Sequence, residues 1–291
     1  MRFIKRSSFM AFVLLWSAIF VVAPLHARVE LPRVSPKATV TQVIGLTKVT
    51  LVYSRPGVKG RKIWGGLVPY GKVWRTGANE ATTIAFTDDV TINGHPVKAG
   101  KYALFTLPEP DEWTVILNSQ WDQWGAFNRD PKKDILRFKV KPQTGPHVEW
   151  MRFTFENLTP ESAEVVLAWE KLRLPFTIRV NVEAKVMKAC TAAVAALKPG
   201  DWRTPASCAN YFVGIGKHLD KAMAWINRSI DVKPEAFNRY VKAKILAAQG
   251  QHAEALALAK QAREEALKVN PKANVQFLDA LIESLTKGKK P

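Results

Sequence analysis

Hydrophobic positions between residues 38 and 180 recur at every second residue, the spacing that puts them on one face of a β-strand. Val49, Leu51 and Tyr53 alternate with polar or smaller neighbours, and a turn at Gly45-Leu46-Thr47 joins them to a short strand over residues 39–44, which predicts a hairpin. Ile84 and Phe86, then Val90 and Ile92, lead into Asn93-Gly94, a dipeptide that readily takes the positive φ angles of a tight hairpin turn. Further strands are predicted over residues 101–107, 113–118, 135–141, 150–155, 164–170 and 176–182. About ten short strands with glycine and proline turns, and no helical crossover among them, predict an all-β sandwich or jelly-roll-like domain.

After residue 182 the alternation gives way to alanine-rich helical periodicity. One helix is predicted over residues 182–197, stopped by Pro199-Gly200; a second starts near Thr204-Pro205, with the threonine as cap and the proline in the first turn. Beyond it, Ala243, Leu246, Gly250, His252, Ala255, Ala259 and Ala262, with Ala222, Ser229 and Pro234 one repeat earlier, resemble tetratricopeptide repeats. Ala222 and Ala255 stand 33 residues apart, close to that repeat's length, although His252 departs from the usual aromatic and only about two repeats are visible. The fold expected is therefore a β domain over residues 28–181 and an α-helical, tetratricopeptide-like region over residues 182–291. The helices would serve either as a cap on the β domain or as a surface for a protein partner.

The chain starts as an export signal: Arg2, Lys5 and Arg6 precede an apolar run over residues 9–23, and Leu25-His26-Ala27 offers a small residue for cleavage. Residues 1–27 are expected to be a signal peptide, with a retained anchor as the alternative, and the protein to be periplasmic or secreted. Removal of those three cations lowers the formal charge from +18 to +15. A basic protein exported from the cytosol meets anionic envelope polymers, lipid head groups and acidic small molecules, so nucleic acid is not the expected partner. The only two cysteines, Cys190 and Cys208, both fall in the helical part, and export to an oxidising compartment favours a disulfide stapling its first two helices over a buried free pair.

Residues 54–82 read SRPGVKGRKIWGGLVPYGKVWRTGANEAT and crowd cations, glycines and tryptophans between strand-like segments. Arg55, Lys59, Arg61 and Arg75 are candidates to hold a carboxylate or phosphate, the arginines through paired N–H donors. Trp64, Trp74 and Trp124 are candidate stacking surfaces for a sugar ring, or else anchors that hold the loop to the core. Asn79 and Asn128 could add neutral hydrogen bonds, and Glu80 is the only acid inside the stretch. The expected role is non-enzymatic: recognition of an anionic or sugar-containing envelope ligand by this loop, with no cofactor and no metal.

Several stretches together are similar to a bacterial exported family, domain of unknown function 2911: residues 54–82, AGKYALFTLP at 99–108, EWTVILN at 112–118, DQWGAFNRDPKKDILRF at 122–138 and LAWEKLRLPF at 167–176. The resemblance implies an exported β domain, sometimes followed by repeat-like helices, and carries no reaction or catalytic residue. Phe127 stands where a tyrosine is common in that family.

Enzyme motifs are sparse. The chain lacks the GxSxG, HExxH and CxxC patterns, and GLVPYGK at residues 66–72 lacks the serine or threonine of a phosphate-cradling loop because Val73 stands there. His95 and His147 sit beside prolines in predicted turns. The alternative function is a hydrolase acting on an envelope polymer, with Glu80 as general acid or base and Asp122 or Asp130 as its partner carboxylate.

Overall fold

A computed structural model describes residues 31–288 of the chain. The expected signal segment lies outside these residues. Among the described residues, no helix is long and apolar enough to cross a membrane.

Ten strands build the first part: β1 Lys37–Ile44, β2 Thr47–Ser54, β3 Thr83–Phe86, β4 Val90–Ile92, β5 His95–Val97, β6 Gly100–Leu107, β7 Trp113–Asn118, β8 Asp134–Val140, β9 Gln143–Glu156 and β10 Ser162–Val180. They form two antiparallel sheets, ordered β1-β2-β3-β6-β7-β8 and β5-β4-β10-β9. Alternation explains how the sheets face each other. Val49, Leu51, Ile84, Leu104, Val115 and Leu117 of the first sheet meet Ile92, Met151, Phe153, Val165, Leu167 and Ile178 of the second in one buried core. The fold is thus the expected two-sheet β domain.

The strands differ from the sequence reading in three places. β9 begins at Gln143, not at residue 150. Residues 162–180 form one long strand, not two, and β5 is a short strand that the sequence did not announce. The apparent break comes from Pro175. It falls after Arg173, the last residue paired with β9, and before Ile178, the first paired with β4, so neither ladder needs the N–H that proline lacks. The hairpin turn at Asn93-Gly94 is as predicted, with φ of 46° and 87°.

β10 passes straight into the helical region through Asn181, whose side chain accepts from the Ala184 N–H and caps α1 Val182–Ala195. Then follow α2 Arg203–Gly214, α3 Leu219–Val232, α4 Ala236–Ala248, α5 His252–Val269 and α6 Gln276–Thr286. Each helix packs on the next, and α4 also touches α2 and α6. Ala222, Ala243, Ala255, Ala259 and Ala262 are fully buried where helices cross, because a methyl group lets two backbones approach closely. Thr204 does not cap α2. Its backbone N–H and its hydroxyl both donate to Asp201, which takes the capping role from just before the helix. Cys190 and Cys208 stand at disulfide distance, their Cα atoms 5.7 Å apart, and join α1 to α2.

Candidate functional site

Residues 54–82 form a folded connection rather than an open loop, and it is anchored at three places. Ile63 and Val68 are 2% exposed and enter the sandwich core. The Val58 N–H bonds to the Glu149 carbonyl, and the Met151 N–H to the Pro56 carbonyl, which ties the start of the segment to β9. Farther along, Trp74 exchanges backbone hydrogen bonds with Thr106 of β6 at 2.7 and 3.0 Å. Gly66 is required by close approach, since a Cβ there would lie 2.5 Å from the Lys62 carbonyl oxygen.

The tryptophans gather inward. Trp64 and Trp74 meet Trp113 of β7 and Trp169 of β10; Trp74 stacks on Trp169 at 5.9 Å and 19°, while Trp64 meets the other three edge-on at 5.0–5.9 Å. Trp64 is therefore packed in this cluster and does not line the cavity beside it.

Beside the cluster opens a cavity of about 540 Å³. Lys59, Arg61, Trp74, Arg75 and Asn79 of the expected residues line it, together with Trp169 and the apolar Val34, Pro56, Leu67, Val68 and Ala78; no aspartate or glutamate does. Trp169 was quoted in a family-like segment but not singled out. It stands at a register shift in β10 where Glu170 adopts φ of 54°, a bulge of the kind that re-aims neighbouring side chains.

The cations differ in how free they are. Arg55 Nε donates to the Met151 carbonyl at 2.8 Å, so this guanidinium fastens β9 and is absent from the cavity lining. Arg61 donates to the carbonyls of Val58 and Gly57 at 3.1 and 2.6 Å. Lys59 Nζ lies 5.7 Å from the centre of the Trp150 ring. The Arg75 side chain has no hydrogen-bond or ion-pair partner among the described residues; its Nε is buried, and burial holds the guanidinium below its ordinary pKa. The Nε1 of Trp169, a residue 1% exposed, is likewise buried without a partner.

The remaining expected residues lie elsewhere. Asn79, held at φ of 59°, donates to the Ser35 carbonyl at 3.2 Å. Glu80 pairs with Arg33 at 2.6 Å, not with a neighbouring arginine of its own segment. Burial pulls its pKa up, but the bond from Arg33, a backbone N–H and the nearby Lys37 outweigh this and leave the carboxyl below the ordinary glutamate range. Glu80 and Asp122 both line a smaller cavity of about 110 Å³ that shares no residue with the larger one. Asp130 caps the short turn of 3-10 helix Pro131–Lys133. Trp124, 58% exposed, forms an isolated bridge with Glu80, and Asn128 is exposed on the same connection between β7 and β8. Among the described residues, no cluster of histidine, cysteine or carboxylate side chains is arranged to hold a metal.

No curated protein and no solved structure matches the chain. A family model described as protein of unknown function (DUF2911) matches residues 35–178, the stretch that builds both sheets and the cavity. Through this two-sheet domain the chain belongs to that family.

Proposed function

We propose that the protein is a non-enzymatic binding protein of the cell envelope whose cationic, tryptophan-lined cavity takes an anionic ligand. The observation that carries this reading is Arg75. A guanidinium stripped of much of its water and given no carboxylate or carbonyl in exchange is costly, and an anion arriving in the cavity would remove that cost. The N-terminal sequence supports export of the chain to the periplasm or beyond. The tetratricopeptide-like helices would then dock the binding domain to another protein. A thermal-shift screen of anions against the full chain tests the reading, since a ligand that binds only the folded state raises its melting temperature. At least one anion should raise it, and the rise should be lost in Arg75→Met. A rise that persists in the variant, or none with any anion, would defeat the proposal.

A second reading rests on the smaller cavity, where Glu80 and Asp122 face common space. Here the protein would be a hydrolase of an envelope polymer. Because Arg33 keeps Glu80 ionised, Glu80 would act as the general base. Turnover of peptidoglycan or envelope polysaccharide that survives in Glu80→Gln would remove that residue from any mechanism.

A further inference from the structure

The charge lining the large cavity is one-sided. Lys59, Arg61 and Arg75 line it and no carboxylate does, and the Arg75 guanidinium has no partner among the described residues. Much of the lining's acceptor capacity is already engaged. The carbonyls of Ser35, Pro56, Gly57, Trp74, Arg75 and Gly77 each accept a bond from within the protein, at 2.6–3.2 Å. A sugar brings many hydroxyl donors and needs acceptors to receive them, because burying an unpaired hydroxyl costs on the order of 1–3 kcal/mol. What the lining offers is positive charge, with the unpartnered Arg75 guanidinium, beside an apolar surface made by Val34, Leu67, Val68 and Trp74.

From this geometry we infer that the ligand is a monocarboxylate with an apolar body, an alkyl or aryl acid, its carboxylate received by Arg75. The inference rests on the large cavity being the ligand site. It narrows the ligand to a class that neither sugar-ring stacking nor phosphate binding would select.

Calorimetric titration of the full chain with hexanoate, octanoate and decanoate, each below its micelle concentration, tests it, with glucuronate and inorganic phosphate alongside. Affinity should rise about fourfold per methylene buried, and Arg75→Met should weaken decanoate about tenfold or more, the worth of a charged hydrogen bond. Should Arg75→Met fail to fold, Leu67→Asp, at an exposed position of the lining, replaces it. A carboxylate there should repel decanoate to a similar degree. Glucuronate or phosphate bound in an Arg75-dependent way, with no gain along the alkyl series, would overturn this inference and leave the anion-binding reading standing. Decanoate binding that survives both substitutions would also overturn it, because apolar contact alone would then suffice. No binding by any of the five anions would overturn both.

Discussion

Arg75 separates a binding site from a merely basic surface. Arg55, Arg61 and Arg75 stand in one glycine-rich, cationic stretch, yet the side chains of two of them donate to backbone carbonyls and that of the third donates to nothing. If Arg75 were structural, its truncation would loosen the fold. As an unpartnered, partly desolvated cation it should do the reverse: without ligand, Arg75→Met should raise the melting temperature by roughly 2–4 °C, the equivalent of about 1 kcal/mol in a chain of this size. A calorimetric scan showing a fall of that size would mean that Arg75 supports the fold instead. The residue types of the site were legible in the sequence, but their hydrogen-bond accounts were not. Those accounts depend on carbonyls far away along the chain, such as Met151 for Arg55, 96 residues on.

Among the elements, the connection between β7 and β8 shows how an irregular segment beside the site is held. It contains Trp121, Trp124 and Phe127, the last 82% exposed, and Gly125 approaches Arg75 closely. Its stem is fixed by Asp134, which pairs with the buried Arg129 and accepts from Asn118 Nδ2 at 2.8 Å. The side chains of Arg129 and Asp134 are 8% and 6% exposed, so removing one partner leaves an uncompensated buried charge. Asp134→Ala should therefore cost about 3–5 kcal/mol, read as a lower urea midpoint; a loss below about 1 kcal/mol would show the pair to be solvated in solution. The strands were legible because an alternating pattern leaves a strand little choice of face. The single long β10 was not, because a proline stops a strand only where its missing N–H would be paired, and pairing is a tertiary fact. Thr204 shows the same limit: the sequence marks it as the cap, and only the chain's path into α2 gives that place to Asp201.

For the whole molecule, the question is what joins the two parts. β10 runs into α1 without a linker, and Lys185 of α1 reaches back to Asp88 and to the Leu46 carbonyl, both at 2.6 Å. The hydrogen bond from Lys185 holds the Asp88 carboxyl below its ordinary pKa. A lowered pKa means stability present above the ordinary aspartate range, about 4, and lost as pH falls through the folded-state value. Lys185→Ala should thus melt lower than the parent protein at pH 7, and the gap should shrink at pH 3. A gap independent of pH would show that Lys185 contributes by packing and not by its charge.

Sequence alone determined the two-part order of sheet and helix, most of the strand positions, the pairing of Cys190 with Cys208 and the segment around which the site is built. All of these follow from local periodicity, turn chemistry or the presence of only two cysteines. Tertiary structure decided which cations remain unsatisfied, that Trp64 is packed in a cluster rather than available for stacking, and that Glu80 belongs to a different cavity from Arg75. It also brought in Trp169 from a strand 95 residues beyond Trp74. The physical reason is the same throughout. A side chain's chemistry is set by its spacing in sequence only when its partners are local, and a donor left without an acceptor can be recognised only once every acceptor around it has been placed.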